Sequence, residues 1–334
     1  MIITHFFGLL IVILQEICNT KFSVTFIITN IRKIKKMIKS LESLVDLAKG
    51  KDKRKIAVAA AGDYHVLKAI HNATEHGIVE PILIGCEDDI KRISSEIKFN
   101  VKPHKVINIS DPYEASLEAT KLISDGKADF LMKGLVSSRL FLKAVLNKEF
   151  GLRTGSLLSH VAIFETPYYH KLLGVTDAAM NVDPDLEEKI DIIKNAVKVF
   201  HGLKNRNPKV AILGSVETIN PKMEATMHAA TISMMNYRKQ IKGCIIDGPL
   251  ALDGAISEKS AKLKHITSNV AGEADLILAP DINGANILYK SLNFLGGATS
   301  AAVIMGAKVP IVLTSRGDSE KSKFLSIALA AAIS

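Results

Sequence analysis

The sequence predicts an α/β protein built on a mostly parallel sheet with helices on both faces. Two patterns and the composition predict it. Short apolar runs recur from residue 56 onward, and longer stretches with apolar residues at helical spacing separate them. Apolar strands joined by helices of about ten residues or more imply parallel pairing, with both sheet faces covered. A hydrophobic content of 48% with 23% charged residues is ordinary for a globular chain and argues against disorder.

Each element follows in turn. From Ile38 the residues Leu41, Leu44, Val45, Leu47 and Ala48 mark an amphipathic helix. The run 56–61 is a strand that closes on Gly62 and Asp63, and Val66, Leu67, Ile70 and Ala73 then recur at helical spacing. Strands at 81–85, 106–109 and 128–132 alternate with helices at 88–97, 113–125 and 138–148. Further strands are expected at 161–164, 172–176, 210–213, 244–246, 276–279 and 309–314, with helices at 185–203, 222–238 and 284–294. A helix over 319–333 ends the chain. Gly151 and Gly155 break a helical stretch and mark the best boundary; no repeat or low-complexity linker is present.

Residues 1–36 stand apart. The apolar run 6–14 stops at Gln15 and Glu16, short of the roughly 18 residues a spanning helix needs. No basic segment precedes it and no small-residue cleavage site follows, so a secretory signal is not favoured. The favoured reading is an N-terminal extension outside the fold, with Met37 as the functional start.

Of the net charge of +9, residues 1–36 carry five basic residues and one acid, leaving +5 dispersed over the remainder. A dispersed charge suits anionic small ligands or a solvated surface. With Trp absent and aromatics scarce, nucleic-acid binding is not expected. Cys18, Cys86 and Cys244 form no CxxC pair, which fits reduced thiols and a cytoplasmic protein; no membrane association is expected.

In parallel sheets ligands bind beyond the carboxyl ends of strands. The usable groups there are Lys133-Gly134, Asp247-Gly248-Pro249, Asp281-Ile282-Asn283 and, most densely, Thr314-Ser315-Arg316-Gly317-Asp318. At the last of these, Gly317 permits a tight turn into a helix whose first N–H groups are unpaired. A helix start beside an arginine suits a phosphate-like anion, with Ser315 adding a hydroxyl and Asp318 a carboxylate. The plain alternative is that Asp318 or Ser319 caps the final helix and Arg316 is a surface residue.

Absent signatures narrow the field. There is no dinucleotide fingerprint, no phosphate-binding P-loop, no H-E-x-x-H and no Cys/His cluster, so no metal site is expected. His160 follows Ser159, but strand neighbours point to opposite faces, so they make no Ser-His pair. His160 is read as structural or as supporting other site residues.

From Met37 to the C-terminus the chain resembles the phosphate acetyl/butyryltransferase family, most closely its clostridial butyryl-type members. The matching stretches are 128–136, 151–155 with 159–165, 187–192, 220–223, 241–253 and 309–316, in that order. The resemblance implies a two-lobed, three-layer α/β/α fold with mostly parallel sheets, like isocitrate and isopropylmalate dehydrogenases. The lobes would be 37–152, completed by 312–334, and 153–311, with the active site in the cleft between them. It implies reversible acyl transfer between CoA and phosphate without a metal or redox cofactor. Also implied are a homodimer or higher homo-oligomer and a functional link to an acyl-phosphate kinase such as butyrate kinase.

By the resemblance Ser315 and Arg316 match the family's catalytic Ser-Arg pair. Asp318 is the acid in reach and the candidate base for the CoA thiol, with Glu320 as a second candidate. Lys133, beside Gly134, is expected to hold phosphate unless it is an ordinary surface lysine. Asn286 and Lys290, one helical turn apart, are expected to reach substrate or the CoA phosphates. Ser159 and Thr314 complete the expected substrate-binding set. Butanoyl is the expected acyl group, with acetyl as the near alternative. Alternatives of other classes are a metal- and NAD-dependent hydroxyacid dehydrogenase and a non-catalytic CoA- or acyl-phosphate-binding protein.

Overall fold

A computed structural model describes residues 38–315 and 317–334. The extension reading of residues 1–36 and the assignment of Arg316 lie outside the described residues. No helix among the described residues is long and apolar enough to cross a membrane.

The first half of the chain alternates as expected: α1 (Leu41–Lys49), β1 (Arg54–Ala59), α2 (Tyr64–Glu75), β2 (Val79–Gly85), α3 (Glu87–Glu96), β3 (Lys105–Asn108), α4 (Pro112–Ser124), β4 (Phe130–Lys133) and α5 (Ser138–Val145). There follow β5 (Ser159–Glu165), β6 (Leu173–Thr176), α6 (Leu186–Gly202), β7 (Lys209–Leu213), α7 (Glu224–Tyr237), β8 (Ile245–Leu250), α8 (Leu252–Ile256), α9 (Glu258–Leu263) and β9 (Leu276–Leu278). The chain closes with α10 (Ile282–Phe294), β10 (Thr299–Met305), β11 (Ile311–Val312) and α11 (Glu320–Ile333).

Several helix starts carry side-chain caps. Asp63 accepts from the Val66 N–H at 2.9 Å, and Asp111 precedes Pro112 and accepts from Tyr113 and Glu114. Asp185 and Glu188 form a reciprocal capping box at α6.

The strands form one sheet of eleven, ordered β3-β2-β1-β4-β11-β10-β5-β6-β9-β7-β8. Pairing is parallel on each flank, from β3 to β11 and from β6 to β8. β10 and β5 join the flanks through antiparallel ladders. β10 was not expected from the sequence, nor were the short helices α8 and α9. The strand expected at 309–314 is confined to Ile311 and Val312, which leaves Leu313, Thr314 and Ser315 outside the ladder.

The two faces of the sheet differ. Residues alternate between faces along a strand, so Ile56, Val58, Met132, Val161 and Ile163 enter one core that runs across both flanks. Ala57, Ala59, Leu131 and Ile311 enter a second core on the other face, and Ala162, Phe164 and Ala302 enter a third. The second and third cores do not merge. Residues from both line the cavity that holds the candidate site.

Candidate active site

The turn after β11 is fixed by its own polar groups. The Ser315 N–H donates to Asp318 Oδ2 at 2.6 Å, the Asp318 N–H donates to the Ser315 carbonyl at 3.2 Å, and the Gly317 N–H donates to Ser315 Oγ at 3.3 Å. Ser319 caps α11, accepting from the Ser322 N–H at 3.1 Å. Asp318 is therefore not the helix cap; its carboxylate is turned back onto Ser315. Under the turn lies Lys323, only 5% exposed. Its Nζ donates to the Ser315 carbonyl at 3.1 Å and to the Asp318 carbonyl at 2.6 Å.

β4 pairs with β11 in parallel and delivers Lys133 beside this turn. Lys133 Nζ donates to the carbonyls of Gly134 and Val136 at 3.2 and 3.0 Å. Gly134 is required by close approach: an added Cβ would meet the Ala59 carbonyl oxygen at 2.6 Å and run into that of Ala60. Overpacking against backbone is destabilising by about 1–3 kcal/mol. Gly134→Ala is accordingly expected to lower unfolding free energy by about that amount in urea titrations and to raise the phosphate KM several-fold by displacing Lys133.

The facing wall comes from the other flank. Asn286 Nδ2 on α10 donates to the Ala178 carbonyl at 2.9 Å, tying the helix to the loop after β6. Lys290 Nζ lies 5.3 Å from the Tyr289 ring centre and 5.8 Å from that of Phe294. The Tyr289 hydroxyl is 3.5 Å from Asp318 Oδ1; burial, with the Asp318 charge adding to it, pushes its pKa up to about 12. Asp177, 4% exposed, accepts from the N–H groups of Ala179 and Met180 at 3.0 Å and from Asn181 Nδ2 at 2.6 Å. Those bonds shape the loop that lines the cavity.

His160 sits between the two walls. Its ring meets Tyr289 edge-on with centroids 5.7 Å apart. Burial holds its pKa below the ordinary value, against the opposing pull of the Asp177 and Asp318 charges, and Lys290 adds to the lowering. Nδ1 is buried with no hydrogen-bond partner among the described residues. An unsatisfied buried polar atom costs about 1–3 kcal/mol.

Together these groups line a cavity of about 630 Å³. It gathers Lys133, Thr314, Ser315, Asp318, Asn286 and Lys290. A second cavity of about 400 Å³ shares Lys133, Thr314 and Ser315 with it and adds Gly134, His65 and Lys323. Val136, Leu142, Met180, Ile282 and Leu313 supply apolar lining to the larger cavity. A separate cavity of about 480 Å³ along β8 contains none of these residues; its Cys244 thiol is pushed up to about 11 by burial and stays protonated.

Two expected residues lie elsewhere. Ser159 is fully buried, with Oγ accepting from Asn195 Nδ2 at 3.0 Å, and does not line the cavity. The alternation that presents His160 to the cavity sends Ser159 to the opposite face. Glu320 pairs with His65 at 3.5 Å and lines neither of the two adjoining cavities. Sequence reasoning passed over Asp177, Tyr289 and Lys323, and read His160 as supporting. Asp177 follows the β6 strand end and was open to the same strand-end reading that found Lys133.

The profile of the family described as phosphate acetyl/butaryl transferase matches residues 39–118 and 111–331. The phosphate butyryltransferase of Clostridium acetobutylicum is 48% identical over 297 residues, covering 89% of this chain and 99% of that protein. The phosphate acetyltransferase of Thermotoga maritima is 48% identical over 291 residues, covering 87% and 98%. Among solved structures, a branched-chain phosphotransacylase from Enterococcus faecalis superposes with a TM-score of 0.74 at 32% identity, over 84% of this chain and 98% of that one. The chain belongs to the phosphate acetyl/butaryl transferase family.

Proposed function

We propose that this protein is a phosphate butyryltransferase, exchanging a butanoyl group between CoA and inorganic phosphate. Family membership carries the coarser part, acyl transfer between CoA and phosphate. The observation that favours butanoyl is that the apolar residues Val136, Leu142, Met180, Ile282 and Leu313 line the same cavity as Ser315. An acyl chain with its carbonyl at the turn would bury its methylenes there, each contributing about 0.8 kcal/mol.

On this reading Ser315 and Arg316 act on the reacting carbonyl and phosphate. As the CoA sulfur attacks an acyl phosphate, negative charge grows on the carbonyl oxygen and on the departing phosphate. The Ser315 hydroxyl, the Arg316 guanidinium and the Lys133 ammonium supply the opposing charge and donors. Asp318 holds Ser315 in place through the 2.6 Å bond to its N–H. Lys290 and Asn286 on the facing wall receive CoA. The reaction uses no metal or redox cofactor, and the acyl phosphate passes to an acyl-phosphate kinase such as butyrate kinase.

A second reading, phosphate acetyltransferase, is favoured by the equal 48% identity to the Thermotoga maritima enzyme. The test is thiol release from an acetyl-to-hexanoyl CoA series with and without phosphate. kcat/KM is expected to peak at butanoyl and fall by about tenfold or more at acetyl, in line with about 1–3 kcal/mol per methylene in a fitted pocket. A maximum at acetyl selects the second reading, and no phosphate-dependent release with any substrate sinks both.

A further inference from the structure

The apolar side chains that line the larger cavity with Ser315 do not come from one wall. Val136 follows β4, Leu142 lies on α5 and Leu313 follows β11, all on the flank that runs from β3 to β11. Ile282 and Met180 come from the other flank, at the start of α10 and in the loop after β6. Met180 reaches across. It is partly buried against the second core, as Leu142 and Leu313 are, although Ala57, Leu131, Phe141 and Ile311 of that core belong to the opposite flank. Its side chain therefore joins the two walls of the cavity.

The backbone at Met180 is held while its side chain can adjust. The N–H groups of Ala179 and Met180 donate to Asp177 Oδ1 at 3.0 Å, and Asn181 Nδ2 donates to the Leu158 carbonyl at 2.9 Å. These bonds tie the loop to the chain that enters β5 and fix where the Met180 Cα stands. An unbranched thioether on three rotatable bonds can then fill an irregular gap and move within it. The third core lines the cavity partly with small groups, for Ala178 and Ala302 each bring only a methyl. Met180 is the longest unbranched apolar side chain in the lining.

Its relation to the reacting centre follows from chain geometry and packing. Leu313 and Ser315 are two residues apart, so their Cα atoms lie at most about 7 Å from each other. An acyl carbonyl held at Ser315 thus has Leu313 within the span of a few methylenes. Leu313 and Met180 pack on the same core and face the same cavity.

We propose that Met180 is the specificity-determining residue for acyl-chain length: an acyl chain with its carbonyl at Ser315 runs along Leu313 toward the second core, and the Met180 side chain sets where it must end. The inference rests on the phosphate acyl-transfer reading and adds to it the group that measures the substrate. Met180 takes no part in bond making. It acts on the fit of the methylenes, so its loss changes the ranking of acyl groups rather than the chemistry.

The experiment measures phosphate-dependent thiol release from acetyl- to hexanoyl-CoA with the full-length protein and three variants. One methylene in a fitted pocket changes kcat/KM by roughly tenfold or more. Met180→Ala removes the Cγ, Sδ and Cε atoms, and the hexanoyl-to-butanoyl ratio of kcat/KM is expected to rise by at least about tenfold. Met180→Phe puts a rigid ring in their place, and the butanoyl-to-acetyl ratio is expected to fall by about tenfold or more. Met180→Leu, nearly equal in volume, is expected to keep both ratios within about threefold of native. A ratio between two substrates cancels the amount of active protein, so partial unfolding of a variant does not move it. The native protein gives a further readout: with methyl-13C methionine, butanoyl-CoA is expected to shift the Met180 methyl resonance and CoA alone to leave it in place. The inference is overturned if the alanine variant keeps the native hexanoyl-to-butanoyl ratio, or if butanoyl-CoA moves that resonance no more than CoA does. Whichever acyl group the native protein prefers, the alanine variant must prefer a longer one. A native protein that transfers no acyl group to phosphate overturns the acyl-transfer reading and this inference with it. An active native protein whose variants keep its chain-length profile overturns this inference alone.

Discussion

Arg316→Ala is expected to reduce kcat by about 10²–10³-fold, the usual loss when one charge-stabilising donor is removed from a reacting centre. The expectation stands on position. Ser315 and Gly317 on either side are both exposed. Among the described residues, bonds that hold the turn run among Ser315, Gly317, Asp318 and Lys323. Stability is therefore expected to move by less than about 0.5 kcal/mol. Arg316→Lys keeps the charge but loses the planar fork, and is expected to recover only part of the activity. Steady-state assays beside urea unfolding decide the matter. Near-normal kcat in the alanine variant would remove Arg316 from the reaction, and a large fall in stability would make its role structural.

The first half of the fold was legible because most strands there are dense apolar runs and most helices carry a capping residue. Asp63, Asp111 and Ser137 open α2, α4 and α5, and the buried positions of α1 include Leu41, Leu44, Val45 and Ala48. β10 was not legible. Its sequence opens Thr-Ser-Ala-Ala just after Gly296 and Gly297, and its bulky β-branched residues are confined to Val303 and Ile304, a shorter apolar run than marks the other buried strands. It is a strand because it lies between β11 and β5, where its small residues are buried from both sides. Long-range pairing overrode local preference. The same pairing limits β11: only Ile311 and Val312 find a parallel neighbour in β4, and the next residues are left for the cavity.

The site was legible in part, for a related reason. Strand ends are visible in a sequence, so Lys133 and the turn from Thr314 could be found without coordinates. What strand ends cannot reveal is which of two neighbours faces the cavity. Ser159 and His160 differ by one position in a pleat, and that single step places Ser159 against Asn195 and His160 against Tyr289. Tyr289 looks like an ordinary core aromatic until Asp318, 29 residues further on, folds back over it. Asn286 and Lys290 were found because helical spacing placed them on one face, and that face is the one turned to the cavity.

Lys323 tests whether the turn needs a charge beneath it. In sequence it is one of two lysines at the start of a helix and reads as solvated. In the fold it is nearly inaccessible, and its ammonium is bonded to the two carbonyls that bracket Arg316. Lys323→Met keeps the length and apolar stem but leaves those carbonyls without their charged donor. Hydrogen bonds to a charged group contribute about 1.5–3 kcal/mol, so unfolding free energy is expected to fall by roughly 2–3 kcal/mol in urea titrations. The activity loss is expected to be larger than stability alone explains. The same residue lines the smaller cavity with Ser315 and Lys133, where a phosphate would add its negative charge. Removing it takes away a fixed cation from a weakly screened site, for an expected drop of about 10²-fold in kcat/KM, felt mainly through phosphate. Lys323→Arg retains charge but not shape and is expected to fall between native and Lys323→Met. Loss of stability with unchanged phosphate kinetics would make Lys323 a clamp on the turn alone; loss of both in the same variant is what a charge shared between fold and substrate requires.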